Sequence, residues 1–280
     1  MTQTVNTTSN TKPNTQAWYR PTFSPEHGVY VVLLVSFLIG AAAAQNWTVE
    51  TTLALVCAFC GFQAEHPLVL QIKQRHSLKP RFLIWGGVYA VISGALALLL
   101  YLNHPLLLWI YAGAIAALVV DAFSVLHREQ KSVFNELITF AAVCLSTQFA
   151  YAATTNTISL SVMGLWALNT LFFSSSIFTV KLRKPKTSSL IPAVVYHAMP
   201  AAGFAYATII IFALYWLNVL SPVTVLAFGV ALLKFGIIAL NQEGYHNVKI
   251  QFVAMLETGT ALAFLTIVAL SILPARLIML

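Results

Sequence analysis

The sequence predicts an all-α, polytopic integral membrane protein, and three observations carry that expectation. Apolar residues make up 59% of the chain and charged residues 8%, with a mean hydropathy of +0.81, which lies outside the range of soluble domains. Apolar runs of membrane-spanning length recur from residue 28 onward. Lys and Arg gather in alternate loops between those runs, the pattern that orients membrane helices.

Residues 1–20 are polar, rich in Thr and Asn, and contain Pro13. They read as a disordered tail rather than a secretory signal peptide, leaving 21–280 as a single transmembrane domain. Apolar runs occupy about 28–45, 51–72, 82–102, 105–126, 133–153, 159–180, 191–217, 221–240 and 251–273. Most hold the roughly 20 residues that a helix needs to cross a ~30 Å hydrocarbon core. The chain therefore predicts nine transmembrane helices, the third and fourth joined by a tight hairpin at Asn103-His104-Pro105.

Thirteen of the fifteen basic residues fall on one side of such a bundle. Lys12 and Arg20 precede the first run, and Lys73, Arg75, Lys79 and Arg81 join the second to the third. Arg128 and Lys131 follow the fourth, Lys181, Arg183, Lys184 and Lys186 follow the sixth, and Lys249 precedes the ninth. The exceptions are Lys234, inside the eighth run, and Arg276. Positive charge stays inside, so the N-terminus is expected in the cytoplasm and the C-terminus outside. The same placement explains the net charge of +7 without a nucleic-acid partner. Cys57 and Cys60 form a C-x-x-C within an apolar run, where small buried residues are the ordinary reading.

Ionisable groups inside hydrocarbon need a partner or a wet cavity, since each costs about 2.5–3.5 kcal/mol on insertion scales. Glu65 lies eight residues before Lys73, and Glu257 eight after Lys249, each roughly 12 Å from the cytoplasmic edge. Asp121, Glu136, His197 and Lys234 fall in the same half. A polar cavity open to the cytoplasm is the expectation, with the dipeptides Glu26-His27 and Glu65-His66 at its mouth. Pro67 lacks an N–H and disfavours helical geometry at His66, so a break or kink is expected there. Simpler readings stand beside these. Glu26-His27 suits a solvated helix start, Asp121 and Lys234 suit plain interhelical ion pairs, and Ser174, Ser175 and Ser176 suit close helix packing.

Several stretches carry a family resemblance. "SPEHGVYVVLLVSFLIG", with Pro25, His27 and Gly28, is similar to the opening signature of the YwiC-like family of bacterial membrane proteins. "EHPLVLQIKQRHSLKPRF" and "HREQKSVFNELITFAAV" resemble that family's basic connectors, the second leading into Asn135-Glu136. A more distant resemblance is to UbiA-type intramembrane prenyltransferases, which have nine helices, a cytoplasmic N-terminus and a cytoplasm-facing cavity. That resemblance implies Asp-rich motifs at the cytoplasmic ends of the second and sixth helices. The matching regions hold no Asp, and Asp121 is the only one in the chain. Mg²⁺ bridging a diphosphate needs several carboxylate oxygens, so metal-dependent prenyl transfer is not expected, and no metal or cofactor is.

Three functions compete. In the first, a UbiA-like bundle binds an anionic amphiphile, an isoprenoid or lipid phosphate. Its head group is held by Lys73, Arg75, Lys79, Arg81, Arg128, Lys181 and Arg183, with Asp121, Glu136, His197, Lys234 and Glu257 completing the substrate site. His27, Glu65 and His66 would then supply any proton transfer. In the second, a proton-coupled transporter or permease uses Glu65, Asp121, Lys234 and Glu257 for coupling. In the third, a non-catalytic scaffold uses its polar residues only to lock helices together. Membrane lipids are the partners expected in every case.

Overall fold

The computed structural model describes residues 19, 21–24, 27–74, 77–127, 129, 132–183 and 193–273, with the backbone alone at 181–183, 193–199 and 246. The expectation for the 1–20 tail therefore falls almost wholly outside the described residues. Twelve helices follow in order: α1 (His27–Ala44), α2 (Val49–Lys73), α3 (Pro80–Asn103), α4 (Leu107–Leu126), α5 (Val133–Cys144), α6 (Ser146–Thr155), α7 (Leu160–Arg183), α8 (Ala193–Trp216), α9 (Pro222–Leu226), α10 (Gly229–Leu240), α11 (Gln242–Asn247) and α12 (Ile250–Ile272). No strand occurs among the described residues.

Among the described residues, eight segments are long and apolar enough to cross a bilayer: α1 to α4, Val133–Thr155 through α5 and α6, Leu160–Val180 of α7, Pro222–Leu240 through α9 and α10, and α12. Pro200–Trp216 of α8 is a shorter apolar stretch. The chain is thus an all-helical, multi-pass integral membrane protein, as hydrocarbon requires, because a helix satisfies its own backbone hydrogen bonds.

Local sequence sets the helix ends. Thr48 caps α2, accepting from Thr51 N–H while the Thr51 hydroxyl accepts from Thr48 N–H, a reciprocal cap that satisfies two orphan donors. Ser132 and Ser221 cap α5 and α9, and Pro80 and Pro222 sit at helix starts, where a missing N–H costs nothing. Asn156 ends α6 in the left-handed region at φ 52°, which Asn tolerates better than most residues. The expected break at His66 is absent. α2 runs continuously through Pro67, which is buried and packs near Gly86 of α3.

The centre of the bundle is α1, which packs on α6, α12, α5 and α7. Its contact with α6 is a close one. A Cβ on Gly40 would stand 2.0 Å from the Thr147 carbonyl oxygen. Ser36, one turn earlier, accepts at its carbonyl from the Thr147 hydroxyl at 2.9 Å, and the Ser146 hydroxyl donates to the Leu33 carbonyl at 3.2 Å. Small residues four apart let two backbones approach, and hydroxyls then bond across the seam. Phe172 of α7 stacks on Phe264 of α12 at 3.9 Å between ring centroids, closing the core on the other side.

The periphery is apolar. α3 and α4 leave most of their large side chains exposed, the surface expected of lipid-facing helices. Trp47, Trp109 and Trp216 are exposed near the start of α2, the start of α4 and the end of α8. All three ends lie on the same side of an alternating bundle, as an aromatic belt at one membrane interface requires.

Candidate functional site

The opposite end of the bundle is hollow. A cavity of about 480 Å³ is lined by the start of α1, the ends of α2, α4 and α7, and the start of α5. Its polar wall holds Glu65, His66, Lys73, Asp121, Asn135 and Glu136, and its apolar wall includes Phe62, Val69, Phe140, Val143, Ile177 and Val180. Five helix termini converge here because the connectors between them, all on one side, carry the hydrophilic residues that a bilayer excludes.

Each polar group arrives on a defined element. Glu65 and His66 project from the last three turns of α2, half-buried. Asp121 sits in the last two turns of α4 and accepts from the Asn135 amide at 2.8 Å. Asn135, buried in the first turn of α5, thereby ties α5 to α4, while its own N–H donates to the capping Ser132 hydroxyl. Glu136 follows in that same first turn, where the helix dipole favours a carboxylate. At the rim, the Ser24 N–H donates to Gln63 Oε1 at 3.2 Å. The Gln63 amide donates to the Tyr30 hydroxyl, and that hydroxyl donates to the Ser24 carbonyl at 3.2 Å. Ser24, a lining residue, is thus tied to both α1 and α2.

Of the residues singled out in the sequence, Glu65, His66, Lys73, Asp121 and Glu136 are brought together in this cavity. Others stand apart. His27 opens α1, exposed and outside the lining. Arg81 donates to the Pro21 carbonyl at 3.0 Å, holding the segment before α1. Lys79 lies 5.8 Å from the Phe82 ring centroid, and its N–H donates to Gln71 Oε1. Lys234 and Glu257 form an ion pair at 2.8 Å between α10 and α12. Arg75 and Arg128 lie outside the described residues, as do the side chains of Lys181, Arg183 and His197.

The expected gathering of Glu65, Asp121 and Glu257 is divided. The first two share the cavity with Glu136, whereas Glu257 sits behind Ser176, whose hydroxyl donates to Glu257 Oε2 at 2.6 Å. Ser176, Asn135 and Thr139 are lining residues that sequence reasoning did not place there. The signals were present but ambiguous: Asn135 directly precedes Glu136 at a helix start, and Ser176 ends a triplet that suits packing equally well.

Chemically, the described residues of the site offer three carboxylates, an imidazole and one ammonium beside an apolar wall. No group of three or more His, Cys, Asp or Glu side chains among the described residues is arranged to hold a metal ion. Residues 23–151 match the family model described as YwiC-like protein, which bears out the resemblance carried by the motifs of the first half. No curated protein and no solved structure matches the chain.

Proposed function

We propose that the cavity is a binding site for a cationic or proton-donating solute with an apolar portion, and that the protein is a proton-coupled permease. The single observation that carries this reading is the balance of charge on the polar wall. Among the described residues, Glu65, Asp121 and Glu136 line the cavity with one ammonium, Lys73. Carboxylates in a site of reduced dielectric attract a cation and exchange it for protons. The apolar wall from Phe62 to Val180 suits the solute's hydrocarbon part. The positive-inside distribution of Lys and Arg supports a cytoplasmic opening, a cytoplasmic N-terminus and an outside C-terminus, in a bacterial plasma or internal membrane.

A second reading rests on Lys73 and the basic connectors: an anionic amphiphile, an isoprenoid or lipid phosphate, held in a UbiA-like cavity. Against it, a phosphate at Lys73 would adjoin three carboxylates, a repulsion that the first reading avoids.

A matched pair of probes separates the two. Dodecyltrimethylammonium and dodecyl phosphate have the same tail and opposite heads. The expected result is thermal stabilisation of the purified full chain by the ammonium, weakened by Glu65→Gln or Asp121→Asn and lost on acidification as the carboxylates take up protons. Stabilisation by the phosphate alone would establish the second reading instead. If neither probe acts, both ligand readings fall and the scaffold reading gains.

A further inference from the structure

Behind the cavity wall lies a second polar group that the charge balance of the cavity does not use. Lys234 of α10 is buried, its side chain 1% exposed, and its Nζ donates to Glu257 Oε2 at 2.8 Å and to the Ser176 hydroxyl at 3.3 Å. The Ser176 hydroxyl in turn donates to the same Oε2 at 2.6 Å. Glu257 Oε1 is buried and has no hydrogen-bond partner among the described residues. Ser176 lines the cavity, while Glu257 and Lys234 do not. One hydroxyl therefore stands between the cavity and an ion pair whose lysine is buried and whose carboxylate side chain is 26% exposed.

A nucleophilic serine is the first chemistry to weigh, and the geometry opposes it. A serine nucleophile needs a neighbouring base. Here the lysine Nζ donates to the Ser176 hydroxyl rather than accepting from it, and a carboxylate alone is too weak a base for a hydroxyl. What a hydroxyl between water and a carboxylate can do is pass a proton, since it donates and accepts at once.

We infer that Ser176 conducts protons from the cavity to Glu257, and that Glu257 is the coupling carboxylate of the permease. The inference rests on the cavity reading above. In the step, a proton from cavity water bonds to Ser176 Oγ as the hydroxyl's own proton passes to Glu257. The carboxylate becomes a carboxylic acid, Ser176 is regenerated, and the ion pair becomes an ammonium beside a neutral acid. Charge rises by one, and no electrons are transferred. Lys234 then lacks its counter-charge inside the bundle, an arrangement tolerated only if α10 and α12 shift to hydrate it. Proton arrival in the cavity is thereby linked to a movement between the two helices that the ion pair joins.

Few other groups compete for this role. Among the elements packed on α12, α1 carries His27 and Tyr30, α9 carries no titratable side chain, and α10 carries Lys234 alone. α7 contributes Lys181 and Arg183 besides Ser176, and Tyr245 of α11 packs with Val253 of α12. On the cavity side stand Glu65, His66, Lys73, Asp121 and Glu136.

Infrared difference spectroscopy of the full chain in lipid vesicles, stepped from neutral to acid pH, reads the inference directly. The expected result is a carboxylic-acid carbonyl component, beside those of the cavity carboxylates, that is lost in Glu257→Gln. Its appearance should be slowed in Ser176→Ala and restored in Ser176→Thr, which keeps the hydroxyl. Should Ser176→Ala develop the band as fast as the unchanged protein, the relay is overturned. If Glu257→Gln does not fold, the Ser176 pair still decides. Failure of the ammonium probe to bind, with the band still dependent on Ser176, would remove the cavity reading and leave the relay standing.

Discussion

Lys234 and Glu257 show how much one side chain is worth inside the bundle. Removing Lys234 leaves Glu257, whose side chain is 26% exposed, without its counter-charge, at a cost below the about 3–5 kcal/mol of a fully buried pair. Lys234→Met is accordingly expected to lower the thermal unfolding temperature of the purified protein. The double change Lys234→Met with Glu257→Gln should recover much of the loss, since neither charge remains. A double mutant no better than the single would show that the pair is not coupled as its 2.8 Å separation implies. Asp121 and Asn135 make a softer case. Their 2.8 Å hydrogen bond ties α4 to α5, and Asn135→Ala is expected to cost about 1–3 kcal/mol by leaving Asp121 without its amide donor.

At the scale of the helix, the seam between α1 and α6 leaves no room for an added methyl group at Gly40. Gly40→Ala would drive a methyl group against the Thr147 backbone, and overpacking of this kind costs about 1–3 kcal/mol or more. Gly94 in α3 is the control, because a Cβ there meets nothing within 4 Å. Gly94→Ala is expected to be neutral or to stabilise by up to about 1 kcal/mol through helix propensity. Chemical or thermal unfolding of the two variants side by side checks both. The existence of these helices was legible in the sequence because span length is a local property: the run at 133–153 became Val133–Thr155, and the run at 251–273 became Ile250–Ile272. Their rotation was not legible. A helix apolar on every face gives no stripe from which to read its orientation. Nothing local therefore told that Ser176 would stand between the cavity and Glu257. The continuity of α2 through Pro67 was hidden for a related reason, since it depends on how α3 packs there at Gly86.

For the molecule as a whole, the alternation of basic loops and the convergence of five helix termini on one cavity are two views of the same arrangement. Charged connectors stay in water, so the ionisable residues nearest them collect at one end. Glu65, His66, Lys73, Asp121 and Glu136 were foreseeable at this end from their depth, but depth placed Glu257 and Lys234 there equally, and Lys79 and Arg81 were not separable from them without knowing where α3 begins. A phosphatase reporter fused after Leu280 is expected to be active, as an outside C-terminus requires, and inactive when fused after Leu78 in the connector between α2 and α3. The claim on which the functional account rests is that the cavity is wet, open to the cytoplasm and negatively charged. Val180→Cys, with Cys57, Cys60 and Cys144 replaced, puts a single thiol in the cavity wall, and Leu78→Cys in the same background gives an exposed reference on the same side. The measurement is the rate of modification by membrane-impermeant cationic and anionic thiosulfonates added to inside-out vesicles. The account predicts modification at residue 180 from that side, with a cation-over-anion preference greater than at residue 78; no reaction at 180, or a preference for the anion there, would contradict it.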